Sequence, residues 1–262
     1  LAYQYTQVES RCISGLMAIQ IGLRGPGVRE WNYGTSLVDA QGKSGKLSPE
    51  LMHAAAYLAF ENQVWDRSIF ASERSGLMDV ELRFPRPFLN DIVERSREID
   101  LDPAVVYGLI RQESRFITNA RSSVGAAGLM QVMPATARWT AKKLGMQGFQ
   151  VDQLNRHDVN IAIGTGFLKV LMTHFQGQLP LVAAAYNAGP GRPRKWRQGP
   201  VIDAAIWAEN IPFNETRDYV KKVVANANVY GGLIHATPQR VVDRLGTVGP
   251  STNSSDEGSD IP

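Results

Sequence analysis

One carboxylate of the chain lies where a helical pattern otherwise places apolar residues. Val106 and Leu109 belong to the apolar face of a helix predicted to begin at Pro103, and Glu113 follows Leu109 by four residues. Because residues four apart lie on the same side of a helix, we expect the carboxyl group of Glu113 on this buried stripe. Burial penalises the charged form and raises a carboxyl pKa, so Glu113 is a candidate general acid near neutral pH.

The same pattern has an interpretation without chemistry. A charged side chain near the end of an apolar helix face often reaches solvent or a polar neighbour, and it then has no catalytic role. Arg111 and Arg115 project from other sides of the predicted helix and do not neutralise Glu113 within it. The helix pattern alone leaves both interpretations open.

A segment with hydroxyl groups and glycines follows between Arg121 and Pro134. Gly125 and Gly128 permit backbone conformations, and a close approach of a ligand, that larger residues would block. Gln131 offers amide donors and an acceptor, which suit sugar hydroxyls and acetamides. An ordinary glycine-rich connector has a similar composition, so this segment by itself does not establish a binding site.

Four sequence blocks in a fixed order carry a more specific pattern. They are Glu113-Ser-Arg-Phe with Ser122 nine residues on, Gly128-Leu-Met-Gln131-Val-Met133-Pro134-Ala-Thr-Ala, Ala184-Ala-Tyr186-Asn187-Ala-Gly189-Pro-Gly-Arg, and Glu209-Asn-Ile-Pro-Phe213-Asn-Glu215-Thr-Arg217-Asp-Tyr219-Val. In this order they closely resemble the soluble lytic transglycosylases of the bacterial cell wall. The resemblance covers residues 80–247, and Asp218 is a small departure, since the family often has Asn or Gly there.

This resemblance implies an all-α protein whose catalytic domain is lysozyme-like, with Glu113 as the single acid and base. The family cleaves the bond between N-acetylmuramic acid and N-acetylglucosamine in peptidoglycan and forms 1,6-anhydromuramic acid ends. The muramic acid C6 hydroxyl is the nucleophile in that reaction, so no metal or organic cofactor is required. The implied partner is the peptidoglycan glycan strand, and the implied location is the periplasm.

The resemblance also implies which residues bind the glycan. Gln131 and Met133 would line the cleft, and Tyr186 would hydrogen-bond to Glu113, with Asn187 beside it. These roles follow from the matched blocks and not from the residue spacing.

Two further matched residues have less definite roles. Ser122 would position either the carboxyl group or a sugar acetamide. Glu215 would contact a stem peptide or an amino sugar, although a glutamate at a helix start also complements the helix dipole.

Two rival functions remain at this point. One is a lysozyme-type hydrolase, which would need a second carboxylate roughly 5–5.5 Å or 6.5–9.5 Å from the first, depending on the stereochemical outcome. The candidates for it are Asp91, Glu94, Asp152 and Asp158. The other is a non-catalytic peptidoglycan-binding module of helical repeats, with residues 1–80 as its working part.

Helical patterning and turn residues predict the organisation of the chain. Residues 1–85 are expected to be the end of a superhelical or linker region, 86–247 the catalytic domain, and 248–262 a disordered tail. Ser48, Asp102, Asp158 and Asn214 are predicted N-caps, and Gly145 and Gly189 predicted helix stops. The predicted helices span 49–72 (one or two), 88–99, 103–113, 134–144, 159–175, 181–187 and 215–230.

Composition is that of a globular protein, with 44% hydrophobic and 20% charged residues among 262. Cys12 is the single cysteine, so no internal disulfide forms. The chain begins at Leu1 with no leader pattern, which indicates a mature protein or a fragment, and no apolar run reaches membrane-spanning length. The net charge of +3 includes an acidic C-terminal segment, so the rest of the chain is more basic and favours acidic partners.

Other chemistry-bearing patterns in the chain are weak. Gly42-Lys43-Ser44 lacks the first glycine of a phosphate-binding loop, and the four histidines do not have metal-ligand spacing. The basic segment 192–197 is interpreted as a solvated loop, with wall-peptide carboxylates or nucleic acid as alternative contacts. We predict no nucleic-acid partner and no bound metal.

Overall fold

The computed structural model describes residues 2–36, 47–237, 240–251 and 261–262. For residues 2–8, at the start of the first helix, it describes the backbone alone. It divides the chain into two compact units, Leu1–Arg86 and Pro87–Pro262. Helices dominate both units, which confirms the predicted all-α class. The Gly42-Lys43-Ser44 sequence and most of the predicted disordered tail lie outside the described residues. Within them, no helix is long and apolar enough to cross a membrane.

The described residues of the first unit form five helices. They are α1 (Ala2–Gln20), α2 (Arg24–Thr35), α3 (Pro49–Glu61), α4 (Trp65–Ser75) and α5 (Val80–Arg83). As predicted, Ser48 begins α3 as its N-cap, because its hydroxyl oxygen accepts from the Leu51 amide at 3.3 Å.

Small residues set the packing between α1 and α2. A Cβ atom on Gly15 would lie 2.8 Å from the carbonyl oxygen of Gly27, and one on Gly27 would lie 2.5 Å from that of Gly15. The two backbones therefore approach more closely than any larger side chain allows. Cys12, Leu16 and Trp31 are buried beside this contact and contribute to the core of the unit.

The second unit contains nine helices in its described residues, one 3-10 helix and a two-stranded sheet. The elements are α6 (Leu89–Glu98), α7 (Pro103–Glu113), α8 (Pro134–Lys143), the 3-10 helix (Val151–Asn155), α9 (His157–His174), α10 (Leu179–Ala188), α11 (Gly191–Trp196), β1 (Ile202–Asp203), α12 (Ala204–Glu209), α13 (Asn214–His235), α14 (Val241–Leu245) and β2 (Thr247–Val248). The strands are antiparallel, with Ile202 opposite Val248. Val248 is thus part of the fold, although the predicted tail began there.

The helix that carries Glu113 lies at the centre of this unit. Every residue from Ala104 to Arg111 is buried, so α7 is enclosed on all sides and not only along the predicted stripe. It packs against α13 so closely that a Cβ atom on Gly108 would lie 2.7 Å from the Ala227 nitrogen. Asp102 caps α7 as predicted, since its carboxylate accepts from the Ala104 amide at 2.9 Å.

Two of the predicted helix starts are wrong. Arg156 holds the N-cap position of α9, so Asp158 lies inside the first turn, where it pairs with Arg156 at 2.7 Å. Phe213 holds the N-cap position of α13, and Asn214 is already helical. In both cases a residue type that commonly caps helices lies within the first turn instead of at the N-cap position.

Helix ends after α8 and α10 follow the prediction. Gly145 adopts a φ of +68° just after α8, and Gly189 adopts +81° at the end of α10. The basic segment predicted to be a loop contains the short helix α11.

Candidate active site

Glu113 is the last residue of α7, and the backbone turns sharply after it. Arg115 and Phe116 both have left-handed conformations, with φ of +49° and +68°. The Ser114 side chain supports this turn, because its oxygen accepts from the Phe116 amide at 3.1 Å, and the Phe116 ring is buried. Two successive left-handed conformations cost free energy in residues other than glycine, so the surrounding contacts must hold them. The turn leaves Glu113 partly exposed at the end of a buried helix.

A tyrosine from α13 holds the Glu113 carboxyl group. The Tyr219 hydroxyl donates to Oε1 of Glu113 at 2.5 Å, and the tyrosine itself is 5% exposed. Tyr219 lies one turn after Glu215 on a helix that packs along α7, so its position follows from that helix contact. A short hydrogen bond from a neutral donor stabilises the carboxylate form of Glu113.

The pKa of Glu113 is raised to about 7. Removal of the carboxyl group from water is the largest cause, and the nearby negative charge of Glu215 adds to it. The hydrogen bond from Tyr219 acts in the opposite direction and lowers the pKa. A carboxyl group with a pKa near 7 holds a proton in part of the population at neutral pH and also releases it readily, as an acid that later acts as a base requires.

Tyr186 does not make the hydrogen bond expected of it. Its hydroxyl donates to the backbone oxygen of Met130 at 2.8 Å, and a phenol has one proton to donate. Tyr219 takes the predicted role instead. The pKa of the Tyr186 phenol is nevertheless raised well above its usual value. Burial is the main cause, and the negative charge of the nearby Glu113 adds to it.

The segment between Ala120 and Met133 forms a folded loop, not a loose connector. Two isolated bridges hold it, between Arg121 and Ala127 and between Ala127 and Val132. The side-chain amide of Gln131 donates to the backbone oxygens of Ala120 and Gly128 at 3.1 and 2.8 Å. The two N–H groups of Gln131 therefore hold its own loop, which leaves its amide oxygen for other contacts.

The contacts described for the remaining predicted binding residues do not involve the Glu113 carboxyl group. Ser122 accepts from the Ala126 amide at 3.0 Å, which leaves its hydroxyl proton to donate. Asn187 accepts from the Thr216 hydroxyl at 2.7 Å, and this bond joins the end of α10 to the start of α13. Met133 is 41% exposed at the start of α8.

Glu215 is the carboxylate that acts on Glu113. It is exposed in the first turn of α13, where it complements the helix dipole, and its charge also raises the pKa of Glu113. The sequence placed Glu215 in a matched block, but it did not indicate this electrostatic contact.

The four carboxylates proposed for a hydrolase have a different setting from Glu113. Glu94 and Asp152 are exposed. Asp91 and Asp158 are also exposed, and they pair with His157 at 3.4 Å and with Arg156 at 2.7 Å. Among the described residues, no group of three His, Cys, Asp or Glu side chains is arranged to hold a metal ion.

Comparison with protein families identifies two matching models. The transglycosylase SLT domain matches residues 92–203, which include Glu113 and the first three blocks. The soluble lytic transglycosylase helical domain matches residues 210–238, which include α13 and Tyr219. This second match lies in the second unit, so the assignment of residues 1–80 to a superhelical region stays a prediction.

Named relatives agree with these models. The chain is 40% identical over 185 residues to the soluble lytic murein transglycosylase of Escherichia coli K12, which is 69% of this chain and 28% of that protein. It is 39% identical over 201 residues to the protein of the same name from Salmonella typhimurium, or 75% and 30%. The chain thus spans less than a third of the length of these two relatives.

Solved structures share the fold. The lytic transglycosylase Slt of Pseudomonas aeruginosa, solved as an inactive mutant, matches with a TM-score of 0.83 and 31% identity over 95% of this chain and 40% of that one. The 70 kDa soluble lytic transglycosylase of Escherichia coli matches with a TM-score of 0.73 and 32% identity, covering 91% and 36%. Together with the four sequence blocks and the setting of Glu113, these matches show that the chain carries a transglycosylase SLT domain at residues 92–203 and is similar to the soluble lytic transglycosylases.

Proposed function

We propose that this chain cleaves the glycan strands of peptidoglycan between N-acetylmuramic acid and N-acetylglucosamine, with formation of 1,6-anhydromuramic acid ends. The observation that carries the proposal is the Glu113 carboxyl group, which has a pKa of about 7 and a hydrogen bond from Tyr219. The names of the relatives support the choice of murein as substrate.

In the first step Glu113 acts as an acid. Its protonated carboxyl group donates to the oxygen of the glycosidic bond, which breaks, and the released sugar leaves with a new hydroxyl group. Positive charge then develops at C1 and the ring oxygen of the muramic acid. Glu113 is left as a carboxylate, and the Tyr219 hydroxyl stabilises that negative charge.

In the second step the Glu113 carboxylate acts as a base. It takes the proton from the C6 hydroxyl of the same muramic acid, and the C6 oxygen forms a bond to C1. The product is the anhydro ring, Glu113 is protonated again, and no water is consumed. Since the nucleophile is part of the reacting sugar, its effective concentration is high and no second catalytic carboxylate is needed.

The hydrolase alternative now rests on Glu215. A hydrolase needs a carboxylate that acts as nucleophile or activates a water on the opposite face of the sugar. The four carboxylates first considered are exposed, and Glu215 is the carboxylate whose charge reaches Glu113. We propose that Glu215 tunes Glu113 and lies towards the bound glycan or its peptide, without a direct part in bond cleavage.

We propose the periplasm as the location, because the proposed substrate lies there and the relatives are named as murein transglycosylases. The matched binding residues Ser122, Gln131, Met133, Tyr186 and Asn187 are proposed to contact the glycan. The basic body of the chain suits a polymer whose peptides carry carboxylates.

Digestion of purified peptidoglycan tests the proposal. We expect the full chain to release soluble muropeptides whose masses are lower by one water than those of reducing-end products. Glu113→Gln, which keeps the size of the side chain but removes the acid, should retain the circular dichroism spectrum and lose turnover by about 10²–10⁴-fold, the usual contribution of general acid catalysis. A wild-type chain that binds peptidoglycan without releasing products would instead support a non-catalytic module.

A further inference from the structure

We propose that Asn160 is a positioning residue for the transglycosylase site: its buried amide clamps the loop from Ala127 to Gln131 and so sets one wall of the glycan cleft. The inference rests on the proposed function, because it assigns that loop to glycan binding. Asn160 lies in the first turn of α9, outside all four matched sequence blocks.

The amide of Asn160 uses all of its donors on backbone groups. It is 0% exposed, its Oδ1 accepts from the Met130 amide at 2.8 Å, and its Nδ2 donates to the oxygens of Ala127 at 3.0 Å and Leu154 at 2.9 Å. Two of these three bonds go to the loop, some thirty residues before Asn160 in the chain. A buried backbone group without a partner costs free energy, so the loop is held in the one conformation that satisfies them all.

Glycines at the contact make this arrangement specific. A Cβ atom on Gly128 would lie 2.0 Å from Nδ2 of Asn160 and 2.3 Å from the Leu154 oxygen, and Gly128 has a φ of +76°. One turn further along α9, a Cβ atom on Gly164 would lie 2.8 Å from Cβ of Met130. One face of α9 therefore presents the Asn160 amide and, at Gly164, the space that a side chain would fill. The loop packs against both.

The clamped loop leads directly to the site. The Met130 nitrogen is bound by Asn160, while its backbone oxygen accepts from Tyr186, which lies in the electrostatic field of Glu113. Gln131 comes next, with a φ of +45°, and its side-chain amide donates to the backbone oxygen of Gly128. Asn160 is fully buried and has no described bond to Glu113, so it acts on the cleft through Met130.

Asn160→Asp tests the clamp with almost no change in side-chain size. The carboxylate still accepts from Met130 but loses both donors, and it faces the oxygens of Ala127 and Leu154. In a Glu113→Gln background, which prevents turnover, we expect the affinity for a soluble tetrasaccharide of alternating N-acetylglucosamine and N-acetylmuramic acid to fall about tenfold by calorimetry, or 1.4 kcal/mol. The variant Asn160→Ser, which is smaller and brings no buried charge, should weaken binding in the same direction if Asn160→Asp does not fold.

Asn226→Asp is the matched control. Asn226 is also a buried asparagine, 7% exposed, but its amide joins α13 to the backbone oxygen of Gly108 and to Arg111, away from the loop. Its new carboxylate would lie beside the Arg111 guanidinium, so this variant should keep its fold and leave the glycan affinity unchanged. If Asn160→Asp and Asn160→Ser lower only the melting temperature and not the glycan affinity, Asn160 has a general structural role and the proposal is wrong.

Hydrogen exchange on the unmodified protein gives a test that no variant can confound. The Met130 amide should exchange as slowly as the amides of α9, although Met130 lies in a loop, and rapid exchange would overturn the clamp. Failure of the proposed function would look different. The wild-type chain would then release no anhydro products, while Asn160→Asp would still bind the tetrasaccharide more weakly than Asn226→Asp does.

Discussion

At the scale of single residues, the chemistry depends on what surrounds one carboxyl group. Glu113 loses much of its hydration, Glu215 adds a negative charge, and both raise its pKa, whereas Tyr219 lowers it. The value of about 7 is the balance of these effects. Each neighbour can be changed alone, and the direction of the change in pKa follows from its charge or hydrogen bond.

Tyr219→Phe removes the hydrogen bond that favours the carboxylate. The pKa of Glu113 should rise above its value of about 7, so the loss of kcat/KM with increasing pH should begin at higher pH. We also expect kcat to fall about tenfold, because the carboxylate formed in the first step is less stabilised. The pH dependence of glycan cleavage measures both effects, and a decline that moves to lower pH would contradict this role of Tyr219.

Glu215→Gln has the opposite effect on the same titration. Loss of the neighbouring negative charge should lower the pKa of Glu113, and the decline in kcat/KM should move to lower pH while turnover persists below it. Asp218→Asn is the matched control, because Asp218 is an exposed acid one turn along α13 that pairs with Lys221 at 3.8 Å. Complete loss of turnover in Glu215→Gln at every pH, with the fold intact, would make Glu215 a catalytic carboxylate.

At the scale of helices, the site is the meeting point of three ends. The C-terminal ends of α7 and α10 supply Glu113, Tyr186 and Asn187, and the N-terminal part of α13 supplies Glu215 and Tyr219. The Thr216–Asn187 hydrogen bond joins α13 to α10, and close packing at Gly108 joins α13 to α7. The geometry at Glu113 therefore depends on how these helices are fixed at their other ends.

Asp102 fixes the far end of α7. Its carboxylate caps the helix and also contacts Arg244 at 2.9 Å and His235 at 3.1 Å. Asp102→Ala should lower the free energy of unfolding by about 1–2 kcal/mol, with no shift in the pH dependence of kcat/KM. Urea unfolding measures the loss, and Glu94→Ala, which removes an exposed acid in the middle of α6, should change stability by less than about 0.5 kcal/mol.

The pH dependence of that loss has a definite sign. These contacts hold the pKa of Asp102 below its usual value of 3.8, so its contribution is complete above that value. It disappears as the pH falls through the lower pKa of the folded state. The wild type and Asp102→Ala should accordingly converge in stability in strong acid, and a constant difference down to that range would contradict the assignment.

The sequence predicted the helices of the site better than their contacts. Periodicity and the Asp102-Pro103 start placed α7 correctly, because both depend on residues close in the chain. The choice between Tyr186 and Tyr219 as partner of Glu113 depends on how α10 and α13 are rotated against α7, and no local pattern records that rotation. The role of Asn160 was invisible for the same reason, since its partners lie in a distant loop.

At the scale of the molecule, the candidate site lies within one of two compact units. Every residue assigned to it belongs to the unit Pro87–Pro262, whereas the first unit has a separate core around Trp31. The match to the Pseudomonas aeruginosa structure covers 95% of the chain and therefore most of the first unit. We propose that it is dispensable for bond cleavage.

Expression of residues 87–262 alone tests this separation. The fragment should fold cooperatively, and its kcat/KM on short soluble glycans should stay within about threefold of the full chain, since all proposed catalytic and binding groups are retained. Circular dichroism and product release are the measurements, with the full chain as control. A folded fragment without turnover would show that the first unit completes the site.

The fate of water tests the central claim most directly. In the proposed reaction the C6 hydroxyl attacks C1, so no solvent oxygen enters the product, whereas a hydrolase places a solvent oxygen at the anomeric carbon. Purified peptidoglycan should be digested in ¹⁸O-labelled water and the first soluble muropeptides analysed by mass spectrometry. We predict 1,6-anhydromuramic acid ends without label. Reducing ends that carry one ¹⁸O atom as the main initial product would contradict the account.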